Sequence, residues 1–493
     1  MLWTLAAGGL AMVAGYLVTA LSRTFSSTYA SSNWVVGLAI TTAVVVACAI
    51  QVARRPSSDG RRHFDPLTLL FLYLLLLYVG RPLYILSSGQ LGTHQMGYWT
   101  DPKGAAEAQW LILSAICLLA LGLWISPFKG RFFAYLVARS PTESVSFRLL
   151  AVGASASLIA ALLIVPSIIS FPGGWRAALT LRQDLYAGRT YLVYMLGAMN
   201  TCWFIVLATN LSSKFLSRRT IQLLALTWPL AAGLVLVSGS RSELVTRNLL
   251  PLGILVLLRV RTPARRLAVL SIGVLLAGSF FATYRSFVRD PQGAAEIQEA
   301  QASLGALNGP VGYILAGDEA SAFDYLAAIM RQVPEPLNYR GTQTIEAVVL
   351  SPVPSALLDD KPLRGGEFVT LHLRPGLYER GGNLAISALG DLYVTGGVVI
   401  VLFGAFLLGL TASLISPGVA RTTSGVRANH YLQVYIGVYL LACVIPVLRS
   451  DLTELGVGLV RVAILLIFLK LARTSFCTGR HRGREVEGAR SYA

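Results

Sequence analysis

The chain is 493 residues long, and its composition is that of a membrane protein rather than of a soluble one. Hydrophobic residues make up 55% of it and charged residues 13%, and its mean hydropathy is +0.63. Repeated apolar runs of about 18–24 residues are each long enough to cross ~30 Å of hydrocarbon as a helix. This pattern excludes an array of soluble domains and predicts an all-α polytopic integral membrane protein.

The net charge of +17 comes from 41 Lys and Arg residues against 24 Asp and Glu residues. Most of the basic residues lie in short connections between apolar runs, as expected of residues that hold those connections in the cytoplasm. We therefore expect contacts with anionic membrane lipids and no nucleic-acid partner. The 5 cysteines are scattered singly without the spacing of metal ligands, so neither disulfides nor a bound metal is predicted.

The predicted transmembrane helices follow in chain order and number about twelve. They cover 2–21, 33–52, 66–86, 106–126, 148–170, 191–210, 220–238, 243–259, 266–284, 386–412, 429–447 and 453–472. The first nine therefore occupy 1–284 and the last three occupy 386–472, before a basic tail at 473–493. Connections rich in Lys and Arg alternate with poorer ones, which places both termini in the cytoplasm.

One connection, residues 285–385, is long and is predicted to face the outside of the cell. Apolar positions in 294–307 and 318–333 have helical spacing, and prolines in the segments that follow predict turns. A structureless loop of this length is uncommon in a compact protein. We therefore expect a partly helical extracytoplasmic cap over the membrane domain.

Several arginines stand on the predicted outer side, where the topology rule does not account for them. Arg182 and Arg189 follow the fifth span, and Arg241 lies in the turn "SGSRSEL". Arginine can clamp a phosphate in bidentate fashion, so these residues are candidates for anion binding. A solvated surface helix is the alternative for the first two, and pairing with Glu243 is the alternative for Arg241. Arg285 emerges from a span at the interface, where arginines commonly reach toward headgroups.

Charge is most concentrated in the segment "RGGEFVTLHLRPGLYERGGN" at 364–383. Glu367 and His372 are candidates for a general base, and the two can approach if the segment folds as a helix or turn. Asp391 is a third candidate, at the start of the next apolar span, where an ionisable group is costly and requires a partner or cavity. Cations in or just before the segment are candidates for anion binding: Lys361, Arg374 and Arg380.

Three segments resemble the O-antigen polymerase (Wzy) family of oligosaccharide repeat-unit polymerases. "VPEPLNYRGTQTIEAVVLSPVPSALLDDKP" is similar to the family's segment that leads through a Tyr/Gly pair to a proline-rich end. "NLAISALGDLYVTGG" is similar to its entry into the next span, and "GSRSEL" to its Gly-Ser-Arg turn. Two departures are visible: Ser355 follows Pro354 where members often carry arginine, and Asp391 stands where glutamate is common.

The resemblance implies a GT-C-like membrane glycosyltransferase architecture and a metal-independent enzyme, without a cofactor, in the bacterial cytoplasmic membrane. Both donor and acceptor would be oligosaccharides on polyprenyl diphosphate, and a flippase and a chain-length regulator would be partners. The residues expected to stabilise the leaving diphosphate are Arg182, Arg189, Arg241 and Arg285, with Lys361, Arg374 and Arg380 in support. The residues expected to serve the acceptor hydroxyl are Glu367, His372 and Asp391.

Two other functions fit the same architecture. An O-antigen ligase uses the same donor chemistry but passes the finished glycan to a different acceptor. A lipid-linked oligosaccharide flippase is the alternative from another class, although polar residues gathered on one side beneath a cap favour an enzyme. The sequence contains no GxxxxGK[ST] motif, so it does not support ATP-driven transport. The first outer connection, 21–33, lacks the acidic residue typical of metal-dependent GT-C enzymes.

Overall fold

The structure is a computed structural model, and the part of the chain that it describes is helical, with turns and no β-strand. Within that part, four helices are long and apolar enough to cross a membrane: Asn33–Val52, Lys103–Ile125, Leu149–Ile169 and Ser387–Leu414. They agree with the prediction of an all-α membrane protein, whereas the count of about twelve spans stays a prediction. The described residues are 32–54, 67–88, 102–126, 146–170, 192, 195, 197–212, 222, 227, 315, 320–353, 357–358, 360–379, 383–414, 440 and 444–474.

The helices are numbered here in chain order. They are α1 (Ser32–Arg54), α2 (Leu67–Leu75), α3 (Arg81–Ser88), α4 (Pro102–Ile125), α5 (Ser146–Ile169), α6 (Ala198–Ser212), α7 (Ala322–Gln332), α8 (Gln343–Leu350), α9 (Gly365–Leu373), α10 (Pro375–Glu379), α11 (Ser387–Leu414) and α12 (Thr453–Thr474). A π-helical turn at Leu76–Gly80 joins α2 to α3. Pro82 has no N–H to donate back to the Tyr78 carbonyl. The Gln109 side chain donates to that carbonyl instead, at 3.4 Å.

Helices α4 and α11 pack side by side through small residues. A Cβ added at Gly122 would overlap the Phe406 carbonyl, so only glycine allows the two backbones to approach this closely. Glu107 lies near Tyr393 at one end, and Ser413 donates a hydrogen bond to Ser126 at the other. The two helices therefore run parallel.

The other helix pairs also have defined directions. Gln109 of α4 donates to Thr41 of α1 at 3.0 Å, and Cys117 lies near Cys48 further along, so α1 and α4 run parallel. The Ser157 hydroxyl of α5 donates to the Met195 carbonyl at 2.9 Å.

One turn earlier in α5, Gly153 packs against Cys202 of α6, so α5 and α6 run antiparallel. These relative directions are the ones that the predicted order of spans requires. They also bring the outer ends predicted for α1, α4 and α11 to the same end of the bundle.

Helix α7 belongs to the long segment predicted as an outer cap, yet it is buried inside the bundle. Every residue from Ala322 to Ile329 is buried, and the helix packs against α4 and α11. Trp34 of α1 stacks on Phe323 with ring centroids 6.0 Å apart. The helix predicted over 318–333 is thus present and ends at Gln332, just before the prolines. It forms part of the core as well as of the segment 285–385.

Helix α11 is broken by two glycines after its first turns. Gly396 and Gly397 have non-helical backbone angles, and Gly397 is left-handed with φ of 73°. The break leaves carbonyls at the end of the first half without helical partners. The backbone N–H of Arg340 donates to the Val394 carbonyl at 2.9 Å, and that of Gly341 donates to Thr395 at 3.0 Å. The long segment therefore docks its backbone into the break, and this fixes where Arg340 lies.

Candidate functional site

Arg340 is the centre of a buried polar cluster beside the break in α11. Its Nη1 lies 3.6 Å from Oδ1 of Asp391, and both side chains are almost completely buried. Its Nη2 donates to the Leu363 carbonyl, and its guanidinium carbon lies 5.2 Å from the centre of the Phe368 ring. Among the described residues, neither Nε–H nor Nη1–H has a hydrogen-bond acceptor. The guanidinium is held by the hydrogen bond from Nη2 and by the ion pair with Asp391, and its Nε–H and Nη1–H donors have no hydrogen-bond acceptor among the described residues.

The charge state of Arg340 reflects two opposing effects. Burial lowers the pKa of its guanidinium, because the low-dielectric surroundings disfavour the charged form. Nearby carboxylates oppose that shift: those of Asp391, Asp451 and Glu367. Arginine stays protonated in proteins, so the cluster holds a buried cation.

Asp391 is enclosed by the beginning of helix α12. Its Oδ2 accepts the Leu452 N–H at 3.0 Å, while Asp451 accepts both the N–H and the hydroxyl of Thr453. Carboxylates at a helix N-terminus bind the N–H groups that the first turn leaves free. A Cβ added at Gly365 would overlap the Asp391 carboxylate, so this glycine closes the site from the other side. Asp391 is fully buried, which favours a positioning role over direct contact with an acceptor hydroxyl.

The charged segment contains helices α9 and α10, and Glu367 and His372 both lie in α9. Glu367 turns back to the start of the helix, where its Oε2 accepts the Arg364 N–H at 2.9 Å and its Oε1 lies 3.9 Å from Arg364 Nε. His372 is exposed; its Nδ1 lies 2.8 Å from the Phe368 carbonyl and its ring is 4.4 Å from the Phe368 ring. Positions five apart on a helix are about 140° apart around the axis. Glu367 and His372 therefore share the helix without facing each other.

Lys361 stands at the edge of the cluster and holds the preceding turn. Its Nζ donates to the carbonyls of Ser351 at 3.1 Å and Val353 at 2.7 Å. Partial burial lowers the pKa of this ammonium group, Arg364 lowers it further, and Glu367 opposes the shift. Lys361 is therefore committed to backbone carbonyls in this structure.

The structure gathers part of the predicted site. Lys361, Glu367 and Asp391 all lie around Arg340, and His372 lies on the exposed side of α9. Arg374 ends α9, where its backbone N–H donates to the Thr370 carbonyl at 2.8 Å. The remaining predicted residues lie outside the described part of the chain: Arg182, Arg189, Arg241, Arg285 and Arg380.

Three residues of the cluster were not among the predicted ones: Arg364 of the charged segment, Arg340 and Asp451. Arg340 lies in "NYRG", inside a segment that resembles the O-antigen polymerase family, and on the predicted topology it opposes the positive-inside rule as Arg182, Arg189 and Arg241 do. Asp451 lies in "DLTE", an acidic residue just before a predicted span, which is a helix N-terminus signal. Both signals were present in the sequence, but neither identifies the partner of the residue.

The cluster is electrically balanced within the described residues. Its cations are Arg340, Lys361 and Arg364, and its carboxylates are Glu367, Asp391 and Asp451. An anionic ligand would therefore need the two N–H donors of Arg340 that lack acceptors, together with further cations brought to the same end of the bundle. The described residues contain no group of three or more His, Cys, Asp or Glu side chains placed to hold a metal ion.

Comparison of the chain with protein-family profiles, with curated proteins and with solved structures finds no match.

Proposed function

We propose that the protein is a bacterial membrane glycosyltransferase that polymerises oligosaccharide repeat units carried on polyprenyl diphosphate. The acceptor hydroxyl of one unit attacks the anomeric carbon of another, and the bond between that carbon and the diphosphate oxygen breaks. The proton passes from the acceptor hydroxyl to a base, and polyprenyl diphosphate leaves with the bonding electrons. The proposal assigns the reaction to the end of the bundle that carries the Arg340 cluster.

The observation that supports this most is that the buried Arg340 guanidinium has two N–H donors without acceptors among the described residues. The Nε–H and Nη1–H groups lie on different sides of the planar guanidinium, so each can donate one charge-assisted hydrogen bond to an anionic oxygen. Buried donors of this kind are preorganised, so they stabilise charge that develops in a transition state without reorganising. The arginines at 182, 189, 241 and 285 are proposed to supply the further positive charge that the balanced cluster lacks.

The candidate bases differ in accessibility. His372 is exposed and Glu367 is partly buried, whereas Asp391 is fully buried and paired. Either of the first two can meet a hydroxyl from the outer side, and Asp391 would hold Arg340 in position. This division makes Glu367 and His372 the better candidates for serving the acceptor.

The test uses the purified full chain in liposomes, given lipid-linked repeat unit alone. We expect a ladder of products and release of polyprenyl diphosphate. Single transfer that requires a different acceptor would support a ligase, and movement of the substrate across the bilayer without new bonds would support a flippase. Either result would overturn the polymerase proposal. Arg241→Ala and Arg189→Ala are expected to abolish polymer while sparing expression.

A further inference from the structure

Helix α8 lies in the segment predicted as an extracytoplasmic loop, but one of its edges is apolar and exposed. Ile345 and Val349, four residues apart, are 63% and 66% exposed. Thr344 and Ala347 are buried on the opposite side. Glu346 is exposed on the edge next to Ile345. A helix with an apolar edge beside a polar edge is suited to the boundary between lipid and water.

The contacts of α8 place its exposed edge on the side that faces away from α11, a helix long and apolar enough to cross a membrane, and from α12. Its buried side meets α11, where the Thr395 hydroxyl donates to that of Thr344 at 2.9 Å. It also packs on α12, where Gly456 touches the Val348 carbonyl. Val399, one turn beyond Thr395 in α11, is 74% exposed. Exposed apolar side chains are therefore present both on a helix long enough to cross a membrane and on the helix α8 that packs against it.

The level of α8 along α11 agrees with a membrane boundary. Thr395 lies eight residues after Ser387 in the chain, which is about 12 Å along a helix rising 1.5 Å per residue. The 28 residues of α11 would rise about 42 Å as an unbroken helix, which is about 12 Å more than the ~30 Å of hydrocarbon. Placing this excess at the Ser387 end puts α8 at the boundary. Tyr339, just before α8, is 43% exposed, and tyrosine is favoured at membrane–water interfaces.

We propose that α8 is inserted in the bilayer boundary, with Ile345 and Val349 among the acyl chains of the adjacent leaflet. Glu346 faces the water and Tyr339 lies at headgroup level. The partner of this surface is the lipid bilayer itself. The segment 285–385 is then partly a membrane element, and the buried cluster around Arg340 lies just beneath a lipid-facing surface. This arrangement does not depend on the reaction that the protein catalyses.

The experiment places a nitroxide label on the full chain in liposomes and measures its collisions with oxygen and with a nickel chelate. The variants Ile345→Cys, Val349→Cys and the matched control Glu346→Cys are made with the five native cysteines replaced by alanine. At 345 and 349 we expect high oxygen accessibility and nickel accessibility roughly tenfold below that at 346, since a polar complex enters hydrocarbon at high cost. High nickel accessibility would show a water-facing helix, and low accessibility to both reagents would show a protein-covered one. Either result overturns the proposal.

A second measurement uses the native sequence, so it does not depend on the cysteine-free chain folding. The protein is reconstituted with a phospholipid that carries a diazirine in its acyl chain, irradiated and digested for mass spectrometry. We expect crosslinks in 339–350 as well as around Val399. Crosslinks around Val399 together with none in 339–350 would contradict membrane insertion of α8.

Discussion

Two ion pairs are buried to the same extent in this protein and differ in how completely their hydrogen bonds are formed. Arg81 Nε donates to Asp324 at 2.7 Å, and Arg81 Nη1 donates to the Leu315 carbonyl at 2.6 Å. Arg340 lies 3.6 Å from Asp391. In both pairs the side chains are no more than 1% exposed.

The difference lies in how many donors of each guanidinium are left without an acceptor. Among the described residues, Arg81 leaves only Nη2 without an acceptor, whereas Arg340 leaves Nε and Nη1. Burying a charge is costly, and good hydrogen bonds repay that cost. The first pair uses its bonds to join α3 to α7. The Arg340 pair leaves part of the desolvation cost of its buried charge uncompensated, and the proposed anion would compensate it.

The largest expected effect is at the first pair. Asp324→Ala leaves the Arg81 guanidinium buried without its carboxylate, which costs about 3–5 kcal/mol of folding free energy. The measurement is the free energy of unfolding in detergent, with yield as a second readout. The double variant Arg81→Met with Asp324→Leu removes both charges and should recover most of the loss. Equal stability of the single and double variants would show that this pair does not hold α7.

The second pair should respond in activity rather than in folding. Arg340→Lys keeps a positive charge near Asp391 but removes the rigid, planar set of N–H donors, so we expect normal unfolding and a transfer rate lower by roughly a hundredfold. The rate of ladder formation from lipid-linked repeat unit measures this. Arg340→Met, which leaves Asp391 unpaired, should also destabilise the fold. If Arg340→Lys keeps the full rate, Arg340 is structural, as Arg81 is.

A smaller effect is expected where the backbone closes on Asp391. Gly365→Ala places a methyl group against the Asp391 carboxylate, and forcing such atoms apart costs about 1–3 kcal/mol. Gly376→Ala, in α10, is the matched control because a Cβ there has no atom within 4 Å. Melting temperature in detergent distinguishes the two variants. An unchanged melting temperature for Gly365→Ala would mean that the Asp391 carboxylate has room to move away from the added methyl group.

The two pairs also show what one sequence can predict of the fold. Long apolar runs identified α1, α4, α5 and α11 because lipid-crossing helices have a simple length and composition. The burial of α7 was not predictable in the same way. Its segment carries Asp318 and Asp324, which is typical of a water-facing helix. The cation that permits burial is Arg81, 243 residues away along the chain, and no local pattern relates the two.

The site was predictable in location more than in detail. The concentration of charge at 364–383 and the placement of Asp391 at the start of a span both pointed to this end of the bundle. The Gly396–Gly397 pair signals a helix break. The sequence does not show that the backbone N–H of Arg340 binds the Val394 carbonyl at this break, because the two residues are brought together only by the folded structure. Arg340 therefore lies inside a segment that carries the family resemblance, although it was not among the predicted site residues.

The smallest expected effect is a pH dependence at Lys361, where a cation is partly buried but well supplied with acceptors. Because burial lowers the pKa of Lys361 below its ordinary 10.5, the folded protein binds fewer protons than the unfolded chain between the two values. Stability from this group therefore rises with pH across that interval. At pH values below this interval Lys361 is charged in both states, and the folded protein bears the full free-energy cost of burying the ammonium group.

Lys361→Met removes that rise. We expect the difference in melting temperature between wild type and Lys361→Met to shift in favour of wild type from about pH 8 to about pH 10. Lys470→Met, at an exposed position of α12, controls for the loss of one positive charge. A difference that does not change with pH would mean that Lys361 is as hydrated in the folded protein as in the unfolded chain. The cluster around Arg340 would then be open to water at this edge, unlike the sealed pair at Arg81.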